Sequence, residues 1–293
     1  MSGPAVLYVL RVPTVRPPEF VEAWDPGIAG VREVFHARFV DHAYPQHTHD
    51  AWAVLLLDDG AVRYALDRHD HGVIPSAVAV LPPHVPHDGR AASSRGFAKR
   101  VLYLDPAVVG EHLVGRAVDR PTIVDAGLSC SLRALHGAVR TRAPVLEADT
   151  RLALVAERLA AHLAGRPDDR AGALRHPAEA RDRGGAALAA AVRDLLDADP
   201  LAPHTLAALA ARVGASSTHL VRSFTARFGL PPHAYLLGRR VDAARRLLLE
   251  GRPAAEVAVT VGFHDQAHLT RHFRRHVGTT PGRYRRGGGR SAV

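Results

Sequence analysis

Cysteine, lysine and long apolar runs are almost absent from the sequence. Cys130 is the only cysteine, which excludes an intrachain disulfide and a zinc site built from cysteines. We expect Cys130 to pack in a helix as a small apolar residue. Lys99 is the only lysine. Because arginine is therefore the ordinary basic residue of this chain, its abundance alone indicates no function.

No apolar run approaches the roughly 18 residues of a membrane helix. The first 20 residues, MSGPAVLYVLRVPTVRPPEF, also lack the basic start and apolar core of a secretory signal. Both absences predict a cytoplasmic protein with no membrane partner. The chain has 293 residues, enough for two domains with separate cores. Its 23% charged and 47% hydrophobic content is typical of a globular protein.

The excess of positive charge lies in the last third of the chain. Residues 1–185 contain 22 basic and 22 acidic residues, whereas residues 186–293 contain 16 arginines and 7 acidic residues. A basic segment attached to a neutral body indicates a polyanion as the partner of that segment. A solvated basic face is the alternative.

Residues from about 30 to 104 have the pattern of short β-strands. The apolar or alternating runs are AWAVLLL (51–57), AVRYAL (61–66), SAVAVL (76–81) and KRVLYL (99–104). Turn signals such as LDDG, RHDHG and PPHVPHDG separate them. Short strands at this spacing predict an antiparallel barrel or sandwich.

Helical spacing replaces the strand pattern after about residue 106. Two apolar stripes recur at helical intervals, namely Leu132, Leu135 and Val139, and then Leu152, Val155, Leu159 and Leu163. The second stripe is narrow, so it fits either packing on the barrel or pairing with a second subunit. The charged segment 165–185, which contains proline and glycine, is predicted to be a linker. Everything after it is predicted to be helical.

The C-terminal helical region contains an internal repeat. LAALAARVG (206–214) aligns with AAEVAVTVG (254–262). When one extra residue is allowed in the next turn, SSTHLVRSFTARFGLPPHAY (216–235) aligns with DQAHLTRHFRRHVGTTPGRY (265–284). Such self-similarity indicates two copies of one structural unit.

Each copy has the features of a helix-turn-helix. Gly214 and Gly262 follow the first helix of each copy, where a left-handed residue turns the chain. Ser216 and Asp265 are predicted to be the N-caps of the second helices. Apolar anchors spaced four residues apart would hold these second helices on their cores; they are Leu220 with Phe224 and Leu269 with Phe273.

With the anchors turned inward, the outer faces carry short polar groups and arginines, which suit a major groove. We predict base contacts from Ser217, Thr218, Val221, Arg222 and Thr225 in the first unit, and from Gln266, Ala267, Thr270, Arg271 and Arg274 in the second. Arginines elsewhere in this region are predicted to contact phosphates; they are Arg239, Arg240, Arg245, Arg275, Arg283 and Arg285.

Four histidines spaced by four residues overlap the second unit: His264, His268, His272 and His276. Such a stripe fits either a metal site or a surface for DNA. The neighbouring arginines would repel a metal cation, and His264 precedes the N-cap, so the four are not one regular helical row. We therefore interpret the stretch as part of a DNA-binding surface.

Residues 186–286 closely resemble the DNA-binding domain of AraC-type transcriptional regulators. The segments RRVDAARRLLLEG, AAEVAVTVGFHDQAHLTRHF and VGTTPGRYR have the order and spacing of that family's signature. The resemblance implies that a helix around residues 236–249 joins the two units rigidly. It also implies that both recognition helices enter successive major-groove segments, about one helical turn (~34 Å) apart.

The N-terminal half resembles, less specifically, the cupin-like sensor domains of many such regulators. HAYPQHTHDAWAVLLLDDGAVRYAL and LPPHVPHDG are similar to the two cupin motifs, with His47 and His49 in the first and His87 in the second. The resemblance implies a small-molecule effector near His47, His49, Trp52 and His87, although Trp52 also suits a core. Because no glutamate follows His49, no cofactor is expected, and a divalent metal at the three histidines is the alternative.

These features predict a multidomain protein with a cupin-like antiparallel β-barrel, following helices and a C-terminal all-α domain. The predicted parts are an effector-binding domain (1–127), a helical packing or dimerisation segment (128–164), a linker (165–185), a DNA-binding domain with two helix-turn-helix motifs (186–286) and a basic flexible tail (287–293). The predicted function is transcriptional regulation through double-stranded DNA under small-molecule control, by a homodimer, with RNA polymerase left open as a further partner. A metal-dependent cupin enzyme fused to a DNA-binding module is the alternative.

Overall fold

A computed structural model describes residues 18–165 and 183–288. Most of the predicted linker and most of the predicted tail therefore lie outside the described residues. Within these ranges, no helix is both long enough and apolar enough to cross a lipid bilayer.

The N-terminal domain is built from antiparallel strands in two sheets. The strands are Phe20–Trp24 (β1), Val31–Phe39 (β2), Ala43–His47 (β3), Trp52–Gly60 (β4), Val62–Leu66 (β5), His69–Val73 (β6), Val78–Leu81 (β7), His87–Ala91 (β8), Phe97–Leu104 (β9) and Thr122–Ile123 (β10). The larger sheet has the order β1-β2-β9-β4-β7-β10, and the smaller sheet has the order β3-β8-β5-β6. The predicted antiparallel barrel domain is confirmed.

The two faces of the larger sheet pack against different partners. Successive side chains of a strand point to opposite faces, so in β4 Leu55 faces the smaller sheet while Val54 faces away from it. The outward face, which includes Val54 and Leu102, forms one core with the helices that follow the barrel. The inward face, which includes Leu55 and Val101, forms a second core.

The helices that cover the outward face are Pro106–Val109 (α1), a short 3-10 helix at Glu111–Leu113, Val114–Asp119 (α2), Ala126–Arg140 (α3) and Val145–Ala164 (α4). The two apolar stripes that the sequence predicts here, on α3 and α4, are buried against this face. Because the side chains of the α4 stripe are already covered within one chain, its packing alternative holds, and this stripe does not remain available for a second subunit.

The C-terminal domain is entirely helical over its described residues. Its helices are Arg183–Ala198 (α5), Leu206–Arg212 (α6), Ser217–Phe228 (α7), Pro232–Leu249 (α8), Ala254–Thr260 (α9), Gln266–Val277 (α10) and Pro281–Gly288 (α11). The first helix-turn-helix unit is α6 and α7, the second is α9 and α10, and α8 joins them. The predicted helical domain with its connecting helix is confirmed.

Local chemistry explains where the recognition helices begin and end. The Ser216 side chain accepts a hydrogen bond from the backbone N–H of His219, and the Asp265 side chain accepts one from that of His268. Both predicted N-caps are therefore confirmed. Gly278 ends α10 with a φ of +84°, and the Phe39 ring lies only 2.5 Å from where its Cβ would stand. A larger residue there would be strained and would also push the two domains apart.

The two helix-turn-helix units differ in how they attach to the barrel. The first unit packs mainly with α5 around its own core, which includes Leu220, Phe224 and Tyr235. The second unit shares a continuous core with the inward face of the larger sheet, through residues such as Leu269 and Phe273. The four anchors that the sequence predicts are fully buried. The second unit thus covers an open end of the barrel.

Three local predictions are wrong. The segment LDDG is not a turn, because it forms the end of β4 and pairs with β9. The segment RHDHG does not separate strands, because its last four residues lie in β6 and pair with β5. The turn is instead formed by Asp67 and Arg68, whose φ angles of 45° and 70° fit a two-residue hairpin. Cys130 lies in a helix as expected, but its side chain is exposed, since it falls on the face of α3 that points away from the sheet.

Candidate effector pocket and DNA-binding surface

A cavity of about 60 Å³ lies between the barrel and the second helix-turn-helix unit. Apolar residues of the two facing sheets, such as Leu55 and Val101 in the larger and Val62 in the smaller, line its interior. The C-terminal domain closes it with side chains of α8 and α10; these include Val241, Asp242, Arg245, His276 and Val277. Both domains therefore contribute walls to one enclosed space.

The three histidines of the predicted cupin motifs converge at this cavity. The ring centroid of His87 lies 4.4 Å from that of His47 and 4.6 Å from that of His49. The Nδ1 atoms of His47, His49 and His87 lie 2.8, 2.8 and 3.0 Å from the backbone oxygens of residues 45, 51 and 85. A carbonyl only accepts, so each Nδ1 carries the hydrogen and each Nε2 keeps a lone pair.

These histidines are neutral at ordinary pH. Burial lowers the pKa of His87 to about 4, and burial together with the neighbouring rings lowers the pKa of His47 and of His49 well below the usual value. In the ranges that the structure describes, no group of three or more His, Cys, Asp or Glu side chains has the arrangement of a metal site. We therefore regard the three Nε2 atoms as hydrogen-bond acceptors.

The only lysine of the chain also faces this cavity. Lys99 alternates with Arg100 on β9, so that Lys99 points inward and Arg100 points to the helical side, where it binds Asp58. Lys99 is 9% exposed, and its Nζ lies 4.1 Å from the ring centroid of Tyr44 and 5.4 Å from that of Phe35. Burial, with a smaller contribution from Arg245, lowers the pKa of Lys99 to about 7.

Trp52 does not belong to the pocket. It is fully buried, but it lies in the core between the larger sheet and the helices α3 and α4. The reason is strand alternation, since Trp52 shares a face of β4 with Val54 rather than with Leu55. The prediction of Trp52 as a pocket residue is corrected to its alternative, a core residue.

Two arginines that the sequence assigns to phosphate contacts are instead buried between the domains. Arg245 donates to the carboxylate of Glu33 at 2.7 Å, donates to the hydroxyl of Tyr284 at 3.2 Å and lies 4.2 Å above the ring of Tyr103. Only 9% of its surface is exposed. In this arrangement Arg245 joins α8 to β2 and is removed from the phosphate-contacting set.

Arg239 is also removed from the phosphate-contacting set, because it too is buried between the domains. Its guanidinium lies 3.1 Å from the carboxylate of Asp50 in the barrel and 3.1 Å from that of Asp197 on α5. Burial alone would raise the pKa of Asp50, but the charges of Arg239, Arg32 and Arg246 outweigh burial and lower this pKa far below the usual range. The acid that follows His49 thus holds the DNA-binding domain against the barrel.

Arg240 has a third environment, in which all its hydrogen bonds go to backbone carbonyls. It donates to Pro200 at 3.0 Å and Ala202 at 2.9 Å, both in the loop before α6, and to Gly262 at 2.8 Å in the turn of the second unit. Arg240 therefore ties the two helix-turn-helix units together, and its donors are occupied by protein rather than free for phosphate.

The predicted base-contacting faces are accessible. Thr218 and Arg222 on α7 and Gln266, Ala267, Arg271 and Arg274 on α10 are exposed, while the other four predicted residues are partly exposed. The five predicted residues of α10 also line a shallow surface concavity of their own. Of the remaining arginines in the predicted phosphate set, Arg275 and Arg283 are exposed and Arg285 is partly exposed. These surfaces remain predictions of DNA contact.

Several cavity residues escaped prediction from the sequence, including Tyr44, Lys99, Asp242 and His276. The alternation of KRVLYL could have indicated Lys99, because it places Lys99, Val101 and Tyr103 on one face. No comparable signal exists for Asp242. His276, which the sequence assigns to the DNA-binding surface, faces the cavity instead. Both residues reach the cavity only because the two domains dock. Burial raises the pKa of Asp242 to about 7, with a further contribution from Asp50.

A larger cleft of about 540 Å³ lies between β1, the end of α3 and α11. Its lining mixes exposed apolar and charged residues, including Phe20, Glu22 and Arg283. We favour the smaller cavity as the binding site, because a largely apolar enclosure with a few convergent polar groups is typical of small-molecule sites.

Two protein-family models match the chain. The model described as AraC-like ligand binding domain matches residues 30–170, and the model described as Helix-turn-helix domain matches residues 209–287. Together they span the barrel with its helices and both helix-turn-helix units.

Among known proteins, the chain is similar to the HTH-type transcriptional regulator YbfI of Bacillus subtilis, with 24% identity over 81% of this chain and 85% of that protein. It is also similar to the HTH-type transcriptional regulator MtrA of Neisseria gonorrhoeae, with 36% identity over 28% of this chain and 27% of that protein. The transcriptional activator NphR of Rhodococcus matches with 39% identity over 28% of this chain and 24% of that protein.

Among solved structures, ToxT of Vibrio cholerae has a similar fold, with a TM-score of 0.55 and 11% identity over 94% of this chain and 98% of that chain. A ToxT structure with bound (E)-4-(8-methylnaphthalen-1-yl)but-3-enoic acid has a TM-score of 0.54 and 10% identity, and covers 92% of this chain. The matched relatives are regulators of transcription, and the alternative of a cupin enzyme finds no support among them.

Proposed function

This chain belongs to the AraC-type transcriptional regulators, and we propose that a small molecule bound in its barrel cavity controls how its second helix-turn-helix unit meets DNA. The observation that carries this proposal is the composition of the cavity wall, to which β9 contributes Lys99 while α8 and α10 contribute Asp242, Arg245 and His276.

A ligand in a shared cavity acts on the arrangement of the domains. A molecule can shift an equilibrium between two arrangements only by binding one of them more tightly. Any ligand that contacts both walls has this property, because separating the domains removes part of its site. A ligand too large for about 60 Å³ would instead favour the separated arrangement. In either case binding at the barrel is coupled to DNA binding.

We propose that the regulator reads bases with the outer faces of α7 and α10. The exposed Arg222 and Arg271 occupy matching positions in the two units, and arginine binds the O6 and N7 atoms of guanine through two hydrogen bonds. Arg275, Arg283 and Arg285 remain the candidates for phosphate contact. Arg239, Arg240 and Arg245 are not among these candidates. They support base recognition indirectly, by holding the recognition helices in place.

We also propose a homodimer, which acts on DNA in the cytoplasm. The outer face of α4 exposes Leu146 and Leu154, at 78% and 57% of their surface, and a second copy that covered them would remove apolar area from water. Sedimentation of the full chain, with Leu154→Glu as the disrupting variant, measures this association.

Selection of duplexes from a random pool, with the full chain in the presence and absence of small molecules, tests the proposed function. We expect enrichment of a site with two half-sites about one helical turn apart, and a change of affinity when a cavity ligand is added. If no sequence is enriched, the proposal that the protein recognises specific bases is wrong. Affinity that no molecule changes, in a panel of acids, polyols, amines and aromatics, would contradict effector control.

A further inference from the structure

We propose that the barrel cavity takes a small carboxylic acid that also carries a hydroxyl group, with the carboxylate at Lys99 and Tyr44 and the hydroxyl donated to the histidines. This inference deepens the proposed function and rests on it, since it names the chemical class of the molecule that the cavity binds.

The strongest indication is a buried cation without an anion. Among the described residues, Lys99 has no hydrogen bond or ion pair; its Nζ lies over two aromatic rings, and the charge that shifts its pKa is that of Arg245, which has the same sign. A buried ammonium group is costly unless an anion pairs with it. Arg245 cannot take this anion as readily, because Glu33 already pairs with its guanidinium at 2.7 Å. Lys99 is thus the cation that a ligand carboxylate would neutralise.

A second unsatisfied donor lies beside Lys99. The hydroxyl of Tyr44 is buried and has no hydrogen-bond partner among the described residues, although its ring lies directly under the Lys99 ammonium group. Buried hydroxyl groups ordinarily have a partner. A carboxylate has two oxygens and about four acceptor sites, so one ligand group can accept from both Lys99 and Tyr44.

The histidines can bind a ligand group that donates a hydrogen bond, whereas Lys99 and Tyr44 bind one that accepts. Because Nδ1 of His47, His49 and His87 donates to the backbone, the three Nε2 atoms can only accept. No other hydrogen bond of these rings is present in the described structure. A ligand hydroxyl can donate to such an atom, whereas a second carboxylate would be repelled by the lone pairs. The cavity therefore combines donors at Lys99 and Tyr44 with acceptors at its histidines.

The size and lining of the cavity limit the ligand further. About 10–15 Å³ of such space accommodates one water molecule, so a cavity of about 60 Å³ accommodates roughly four to six heavy atoms. Apolar side chains such as Leu55, Val62 and Val101 form much of the remaining wall, and its charged residues Asp242 and Arg245 already pair with Arg239 and Glu33. A short hydroxy acid such as lactate has this size and this combination of groups.

Titration calorimetry of the full chain with three matched probes tests the proposal. Lactate carries both groups, propanoate lacks the hydroxyl and propane-1,2-diol lacks the carboxylate. We expect lactate to bind at least tenfold more tightly than either of the others. Because the pKa of Lys99 is lowered to about 7 and an anion would raise it, lactate binding near pH 8 should also take up a proton from the buffer.

Variants on β9 provide the matched pair. Lys99→Met should remove the preference for acid over diol and the proton uptake, while removal of a buried unpaired charge should leave the melting temperature unchanged or higher. Arg100→Met changes the next residue, which points to the opposite face, and should leave lactate binding unchanged. Tyr44→Phe should weaken lactate and propanoate but not the diol.

Three results would overturn the proposal. These are equal binding of lactate and propane-1,2-diol, lactate binding by Lys99→Met with wild-type affinity, or no binding of any of the three probes. None of them decides the proposed function, because the duplex selection tests effector control of DNA binding with a wider panel that also contains polyols, amines and aromatics.

Discussion

Arginine has three distinct environments in the C-terminal domain, although the residues lie close together in the sequence. Arg239 and Arg245 are buried against carboxylates, Arg240 binds backbone carbonyls, and Arg271 is exposed on a recognition helix. Each environment gives the guanidinium a different role. A substitution by alanine should therefore have different consequences for stability and for DNA binding at each position.

Arg271→Ala should weaken binding to the preferred duplex by about 1–3 kcal/mol and relax base preference at one position, since a bidentate contact to guanine is lost. Arg275→Ala on the same helix is the matched control. It should weaken all sequences alike and lower the salt slope by about one, as expected for a phosphate contact. Binding measured against single-base variants of the site distinguishes the two. If Arg271→Ala weakens binding to every duplex equally, Arg271 does not contact a specific base.

The buried histidines should make the protein unstable in acid. The pKa of His87 is lowered from its ordinary value of 6.5 to about 4 by burial, so the folded state binds fewer protons than the unfolded state between these values. The associated stability is present above pH 6.5 and is lost as the pH falls towards 4. This one group accounts for about 3 kcal/mol at most.

Urea unfolding between pH 7.5 and 5 measures this dependence. His87→Gln should reduce the slope of the free energy of unfolding against pH. His69→Gln, at an exposed position on β6, should leave this slope unchanged. An unchanged slope in His87→Gln would show that the His87 imidazole does not contribute to the acid sensitivity.

The connecting helix α8 does more than separate the two helix-turn-helix units. Arg240 lies near its middle and donates to carbonyls of the loop before α6 and of the turn after α9. The first segment leads into α6 of the first unit and the second leads into α10 of the second unit, so the guanidinium fixes one unit relative to the other. Rigid spacing of recognition helices in turn restricts the distance between the half-sites on DNA.

Arg240→Ala should relax the requirement for half-site spacing. We expect about tenfold weaker binding to the preferred duplex, since hydrogen bonds of a charged group contribute about 1.5–3 kcal/mol, and a smaller penalty than in the wild type for inserting one base pair between half-sites. Lysine at position 240 keeps the charge but cannot reach three carbonyls, so it should behave like alanine.

The control for this prediction is Arg252→Ala, which removes a partly exposed arginine paired with Glu256 on α9. It should retain the spacing requirement. An Arg240→Ala variant that loses affinity equally for every spacing would indicate a phosphate contact instead of a positioning role.

The two domains are joined by charge as well as by a shared apolar core. Glu33 with Arg245, and Asp50 with Arg239, cross from the barrel to α8 at distances of 2.7 and 3.1 Å. Breaking a buried ion pair leaves an uncompensated charge and costs about 3–5 kcal/mol. These pairs are therefore the contacts on which the docked arrangement, and with it the cavity, depends most.

Glu33→Gln should lower the free energy of unfolding by about 3–5 kcal/mol and should increase hydrogen exchange in α11 and β1, which lie together at the same interface. Asp59→Asn breaks a surface pair with Arg38 in which the aspartate side chain is 63% exposed, and should cost less than about 1 kcal/mol. Similar losses in both variants would mean that the Glu33 pair does not hold the domains together.

Much of the architecture was predictable because its causes are local in the chain. The N-caps Ser216 and Asp265, the turn glycines and the i, i+4 anchors act within a few residues of one another, so the repeat indicates both helix-turn-helix units. Strand alternation likewise predicted the barrel, although the turn between β5 and β6 was placed too far along the chain, because Asp67 and Arg68 carry no glycine to mark it.

The sequence alone determined the family, the exposed faces predicted to contact bases and the three histidines of the cavity, since each depends on residue types at fixed short spacings. Long-range packing determined that Arg239, Arg240 and Arg245 serve the protein rather than DNA, and that Trp52 lies outside the pocket. It also brought Lys99 opposite Asp242 and His276, which are more than 140 positions away along the chain. Such contacts arise only when two independently patterned domains dock, because no local spacing rule relates a strand of one domain to a helix of another.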